Sequence, residues 1–538
     1  MITGNAGDGK TAFIQMLERR LDEEGATITQ RAGGNGSTIV RHEHRFVTNW
    51  DGSQDDGERE NNEVLRGFFE PFSGDTPARP ADETRVIAIN EGRLLDFVAE
   101  RKHRDAFPWL RKMILRLFTE QVVPEEDWVC VVNLNLRALT LPSEDSDGSI
   151  AHRLLSRFSD SRLWEPCAGC TAERWCYARA NAEMLRDPVL GGRAAERIRQ
   201  TLDLVRLRRR LHITMRDLRS ALAFTVAGNR TCDEIVALVE NHDREALLSG
   251  HIYNSLFAAS DKLAPPARAM EAVRDRLLDV VGSLDVAKTS SPEDDARLWA
   301  LGTATLRPDS PELTRTDREL LDELKERLPK GSSELFDRRA RASLRLLQSS
   351  LRRKLFLERE DPEWLSMYPY DRLDAFLRQL RKSEIEDRDA IATAISNSEG
   401  LFSETFAGVV AVRPARENDG PDRSFVTHLA EQFQLDVLDL RALARYVEYA
   451  PDSLVFRHVR DEAVALEIDL DLFEMLIRVL EGFTPSREEL RGAWLNLRIF
   501  KEQLASVPSE SLLLSSDDRR FFDVRRADGD AVAVREVT

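Results

Sequence analysis

Two hydrophobic rhythms divide the chain. Through about residue 240, short continuous apolar runs alternate with helical stripes. The runs are Arg45-Phe46-Val47-Thr48-Asn49-Trp50, Val86-Ile87-Ala88-Ile89 and Trp128-Val129-Cys130-Val131-Val132. The first stripe carries Phe13, Ile14, Leu17 and Leu21, with Glu18, Arg19 and Asp22 on the opposite side. Further helices are predicted from Arg93 to Glu100 and from Trp109 to Phe118, the latter through Leu110, Ile114, Leu115 and Phe118. Strands that are apolar on both faces and separated by helices predict an α/β fold, a parallel sheet with helices on both faces.

Beyond about residue 250 the period is mainly helical. Leu344, Leu347, Leu351 and Leu355 form one stripe from Arg339 to Leu357, followed by helices over Asp371–Arg381 and Asp387–Ser396. Asp471 and Glu474 read as a capping box opening a helix to Leu480, with Gly482 at its end. Ser486 and Glu489 repeat the device before Leu490, Trp494 and Leu497. Strands are predicted at Val409–Val412, Ser453–Phe456, Ser511–Leu514, Phe521–Val524 and Ala531–Val534; the closing ones alternate in period two, as in a small antiparallel sheet. Polar, turn-rich linkers read at Lys288–Pro311 and Val412–Ser424. The expected division is a core over 1–213, a helical lid over 214–250, a mainly helical region over 251–410 and a small α+β part over 411–538.

The first helix opens on Gly4-Asn5-Ala6-Gly7-Asp8-Gly9-Lys10-Thr11, which matches G-x-x-x-x-G-K-[ST]. In such a loop the glycines let successive backbone N–H groups cradle phosphate oxygens. Lys10 is expected to reach the β and γ phosphates, and Thr11 to hold Mg²⁺. Gly25 stands where a helix-ending glycine belongs. Only Met1, Ile2 and Thr3 precede the loop, too few for an ordinary central strand. The expectation is a start further upstream, or a place in the C-terminal part of a longer polypeptide, rather than a locally short sheet.

Polar residues end the other strands, where a parallel sheet opens its ligand crevice. Glu91 is the candidate to activate water, against the plainer reading of a helix-start carboxylate. Asn90 stands where a Walker B aspartate would, and Asp51 is a possible substitute. Asn133 and Asn135 are either γ-phosphate or water contacts, or turn asparagines.

This order of motifs resembles the AAA+/STAND-type P-loop ATPases: the Gly4–Thr11 loop, VIAINEG as a Walker B-like strand, VVNLN as a sensor-like strand, then Thr214-Met215-Arg216-Asp217-Leu218-Arg219 opening a lid helix. Thr214 and Asp217 form a capping-box pair. The resemblance implies a lid arginine on the phosphates, Arg216 or Arg219, and a finger arginine supplied between subunits, with Arg153 and Arg157 nearest. TGNAGDGKTAFIQ, NWDGSQDDG, INEGRL and RDLRSALAF are also similar to a group of large bacterial ATPases of anti-phage defence and conflict systems, sometimes linked to serine/threonine protein kinases. That resemblance covers roughly the first 240 residues. It implies ATP and Mg²⁺ as ligands, a kinase or effector protein as partner, and homo-oligomers.

Cys167, Cys170 and Cys176 form C-x₂-C-x₅-C, with Gly169 in the turn. Tetrahedral zinc needs a fourth ligand, for which Cys232 is the candidate and His152 the alternative. Free thiols and an iron–sulfur cluster are the competing readings. Arg206-Leu207-Arg208-Arg209-Arg210 is the one dense basic run, either a nucleic-acid or partner contact or a solvated helix side.

Composition narrows the classes. Hydrophobic residues at 42% and charged ones at 32% are globular values. A formal charge of −17 argues against a non-specific DNA coat. No run is long and apolar enough to span a membrane, and a phosphate loop occupies the place of a signal peptide, so a cytoplasmic protein is expected. Five cysteines, three of them clustered, fit a reducing compartment and a metal. The leading expectation is an ATP-driven switch or remodeller, ahead of a nucleotide-gated scaffold with little turnover and a small-molecule kinase.

Overall fold

The computed structural model describes residues 1–538 except 31–33, 56–58, 142–147, 209–210, 261–274, 289–314, 327–337, 361–369, 382–386, 403–405, 414–422, 485–492, 510, 516–519, 527–530 and 538. It forms two compact units. One comprises Met1–Asp203, Leu211–Glu360 and Leu440–Ala450; the other comprises Leu204–Arg210, Asp361–Asp439 and Pro451–Thr538.

The first unit is built on six strands: β1 (Ile2–Thr3), β2 (Thr27–Gln30), β3 (Ser37–Arg41), β4 (His44–Asn49), β5 (Glu83–Ile89) and β6 (Val132–Asn133). Their order in the sheet is β2-β3-β4-β5-β1-β6. The strands β4, β5, β1 and β6 run parallel, while β2 and β3 add an antiparallel edge. The sheet is thus mixed rather than purely parallel. His42 and Glu43, both at positive φ, turn the chain in two residues between β3 and β4, and so tight a link permits only an antiparallel pair.

Period two along β5 decides which helices cover which face. Ile87 and Ile89 pack with Leu65, Phe68 and Phe69 of α2 (Asn61–Phe69), Phe97 of α3 (Glu91–Ala99), and Leu110 and Ile114 of α5 (Pro108–Thr119), beyond α4 (Arg101–Ala106). Ala88 faces the other way, onto Ile2 and onto Ile14 of α1 (Lys10–Glu23). The α1 stripe differs from expectation at two places: Phe13 is exposed, and Glu18 is buried, accepting hydrogen bonds from Thr48 Oγ1 (2.5 Å) and Trp50 Nε1 (2.9 Å). β1 is short, yet Ile2 and Thr3 are buried between β5 and β6. β6 is also shorter than the expected Trp128–Val132. Trp128 instead stacks on Trp109 and Phe72, at 5.3 and 5.9 Å between ring centroids.

After the sheet come α6 (Ile150–Phe158), α7 (Ser161–Trp164), α8 (Tyr177–Arg186), α9 (Leu190–Leu207), α10 (Met215–Ala227) and α11 (Cys232–Glu240). The predicted lid helix is α10, opened by the expected box: Thr214 Oγ1 accepts from Asp217 N and Asp217 Oδ2 accepts from Thr214 N. The Leu/Arg helix runs Arg338–Glu358 with Leu347, Leu351 and Leu355 buried; the Leu344 side chain lies outside the described residues.

The second unit holds a three-stranded and a five-stranded antiparallel sheet. β7 (Val409–Val412), β8 (Arg423–Leu429), β12 (Ser511–Ser515), β13 (Phe521–Arg526) and β14 (Val532–Val537) form the larger, in the order β14-β13-β12-β8-β7. β9 (Phe433–Val437), β10 (Leu454–His458) and β11 (Asp461–Ile468) form the smaller. The helix Leu470–Leu480 is capped by Asp469, whose carboxylate accepts from Leu472 N at 2.9 Å, rather than by the Asp471–Glu474 box. Those two acids instead hold Arg208. The Ser486–Glu489 pair and most of both expected linkers lie outside the described residues. Among the described residues no helix is long and apolar enough to cross a membrane.

Candidate nucleotide site

The Gly4–Thr11 loop leaves the C-terminal end of β1 and enters α1 at Lys10. Gly4, Gly7 and Gly9 all have positive φ. Two of them have no room for a side chain. A Cβ on Gly4 would stand 2.8 Å from Asp8 Oδ2 and 2.9 Å from Leu134 Cβ; one on Gly7 would stand 3.0 Å from Thr214 Oγ1 and 3.1 Å from Arg216 Cβ. The loop is therefore pressed between the β6 turn and the start of α10.

Lys10 Nζ donates to the carbonyls of Gly4 (2.8 Å) and Asn5 (2.7 Å), so its ammonium lies curled over its own loop. Burial holds this lysine below its ordinary value, while Asp8 and Asp51 pull in the opposite direction. Asp8 is buried; its Oδ2 accepts from Asn5 N at 2.6 Å, and its Oδ1 lies 3.3 Å from His212 Nε2. Arg216 N donates to Gly7 O at 3.2 Å, a second bond between the loop and the opening of α10. Both Arg216 and Arg219 are exposed, and no hydrogen bond or ion pair engages either guanidinium among the described residues. Arg153 and Arg157 are exposed on α6.

Three parallel strand ends meet the loop. Thr11 Oγ1 donates to Trp50 O at 2.8 Å, which brings the hydroxyl to the end of β4. Asp51 follows directly, its carboxylate held by Ser53 N (2.9 Å), Ser53 Oγ (2.5 Å) and Gln54 Nε2 (3.1 Å). Buried Asn35 brackets the Asp51 backbone, donating from Nδ2 to its carbonyl (2.9 Å) and accepting from its N–H (3.0 Å). Glu91 begins α3 after β5 and accepts from Asn135 Nδ2 at 3.1 Å. Asn133 is occupied differently: its Oδ1 caps the turn by accepting from Asn135 N at 3.0 Å. Of the two asparagines, Asn135 is the one that reaches the acid.

Sequence reasoning missed Asn35 and His212, since neither sits in a motif and each acts across a long stretch of chain. Three buried polar atoms at these strand ends, Thr3 Oγ1, Asn49 Nδ2 and Asn135 Oδ1, have no partner among the described residues. Buried polar atoms of that kind ordinarily meet water or a ligand.

The cysteines fall on three elements. Cys167 and Cys170 share a tight turn, Cys176 caps α8, and Cys232 is the first residue of α11; none is in a disulfide. His152 belongs elsewhere, with Nδ1 2.8 Å from Ser149 Oγ. Among the described residues no three His, Cys, Asp or Glu side chains stand close enough to hold a metal ion. Arg208 of the basic run is buried against Asp471 and Glu474 (Nη2–Oε2 2.7 Å), while Arg209 and Arg210 lie outside the described residues. Comparison with known protein families, curated proteins and solved structures finds no match for this chain.

Proposed function

We propose that the chain binds ATP at the Gly4–Thr11 loop and hydrolyses it, acting as a molecular switch of the AAA+/STAND type. The observation that carries this reading is the loop itself: three glycines at positive φ at the C-terminal edge of parallel strands, running into the N-terminus of a 14-residue helix. Backbone N–H groups and the helix dipole there favour a polyphosphate. On binding, Lys10 exchanges the two loop carbonyls for phosphate oxygens. Thr11 and Asp51 are the residues suited to Mg²⁺, directly or through its waters; the ion would neutralise phosphate charge. This moves the metal-side acid from Asn90, where the motif order expected one, to the end of β4. Glu91, oriented by Asn135, is the base that takes the proton of the attacking water. Arg216, two residues beyond the capping threonine and bonded through its backbone to Gly7, is the arginine that answers the phosphates. Movement of α10 with the loop is the switch.

The experiment is ATP binding and turnover by the purified protein beside Lys10→Ala and Glu91→Gln. Turnover lost in both, with binding kept in Glu91→Gln, supports the reading. Binding without turnover in the parent protein favours the second reading, a nucleotide-gated scaffold, to which Asn90 and the occupied Glu91 carboxylate lend support. The role in bacterial defence, with a kinase or effector as partner, rests on the resemblance of the first 240 residues alone.

A further inference from the structure

We propose that Cys167, Cys170, Cys176 and Cys232 bind one structural zinc ion that ties the turn before α8 to the start of α11, beside the helix that contacts the phosphate loop. The backbone prepares the site. Cys170 N donates to Cys167 O at 3.2 Å, and Gly169 takes φ +78, closing the two-residue turn from which a C-x₂-C pair grips one metal. Cys170, Cys176 and their neighbours Ala172 and Tyr177 share one apolar cluster with Ile235, Val236 and Val239 of α11, the helix that Cys232 begins. The three elements are therefore packed together independently of any metal.

The electrostatics follow the same grouping. Burial first, and then the neighbouring cysteines, push the Cys167 and Cys176 thiols up: Cys232 and Cys170 act on Cys167, and Cys167 and Cys232 on Cys176. Four thiolates around Zn²⁺ leave two negative charges. Arg179 stands beside the turn, its Nη1 donating to Cys167 O at 3.3 Å while the guanidinium also pairs with Glu173 and Glu183. Among the described residues the thiols do not converge to coordination distance, so metal binding would have to draw in side chains whose backbones the fold has gathered. The proximity of α8 to α10 gives the clamp a consequence: Asn181 of α8 donates to Val226 O near the end of α10 (2.9 Å) and to Gly250 O (3.0 Å).

The test uses the full chain. Elemental analysis of protein purified without added metal is expected to give about one zinc per chain, and Cys232→Ser to lower it markedly. Cobalt replacement is expected to give the strong near-ultraviolet and red absorption of a tetrathiolate site. Thiol titration of the native protein should find Cys130, the remaining cysteine of five, reactive before the other four, which become reactive once the metal is removed. Iron in place of zinc, or no metal with the four cysteines freely reactive in the parent protein, overturns the proposal. Because these last readouts use the unsubstituted chain, a variant that fails to fold does not blunt the test.

Discussion

Asn135 Nδ2 donates a 3.1 Å hydrogen bond to Glu91 Oε2, joining the turn after β6 to the first residue of α3 across the phosphate-loop strand. An amide that donates to a carboxylate fixes the direction in which that carboxylate points. Glu91→Gln keeps the amide partner and removes the base, so turnover is expected to fall roughly 10²- to 10³-fold with ATP binding preserved. Asn135→Ala leaves the base but frees its orientation, so its loss of turnover is expected to be smaller, with ATP binding again preserved. Steady-state ATPase assays across pH, with nucleotide binding measured separately, check both. Equal losses in the two variants would refute the division of roles.

The Thr11 hydroxyl points to the Trp50 carbonyl, 39 residues away, and Asp51 follows on the same strand end. Asp51→Asn is therefore expected to raise the Mg²⁺ concentration needed for half-maximal turnover by roughly 10- to 100-fold. Asn35→Ala, which removes both bonds to the Asp51 backbone, is expected to do the same more weakly and to be rescued by excess Mg²⁺. An unchanged Mg²⁺ titration in Asp51→Asn would return the metal-side role to the end of β5.

The loop was legible because each of its positions answers a separate steric or electrostatic demand, and Thr214–Asp217 because capping is local. The sheet was legible only strand by strand. Nothing in residues 44–51 or 83–91 reveals that β5, not β4, neighbours β1, and that adjacency decides which acid stands near Thr11. The β3–β4 hairpin turns on His42-Glu43, which lacks the glycine or asparagine that ordinarily marks such a turn. Glu18 reads as a solvated helix residue because its partners, Thr48 and Trp50, lie on another element. Arg208 hid in a basic run for the same reason: its acids are more than 260 residues away.

That buried arginine yields a stability prediction. Arg208 donates to Glu474 Oε2 at 2.7 Å and to Asp471, with only 6% of its surface exposed. Arg208→Ala takes the shorter ion pair from both acids, leaving buried Glu474 a 3.7 Å pair with Arg478, and is expected to cost about 3 kcal/mol. Denaturant unfolding measures the loss. A change below about 1 kcal/mol would show the three groups to be solvated and would restore Arg208 to the candidates for an external contact.

The second unit should also lose stability in mild acid. His428 and His458 are both buried, with ring centroids 5.6 Å apart and His428 edge-on to Phe433. Burial, reinforced by His458, pushes His428 down to about 4. Burial also lowers His458, against the pull of Asp461 and with that of Arg460. An unfolded histidine titrates near 6.5, so between that value and about 4 the unfolded chain binds the proton that the folded one refuses. Stability is therefore complete above pH 6.5 and declines as the pH falls toward 4, by roughly 3 kcal/mol from His428 alone. His428→Phe removes the titrating group while keeping an aromatic ring against Phe433. Denaturant unfolding of parent and variant at pH 7.5 and 5 is expected to show a smaller acid loss in the variant. An equal loss in both would mean that His428 is protonated in the folded state, and that acid acts on this unit through other groups.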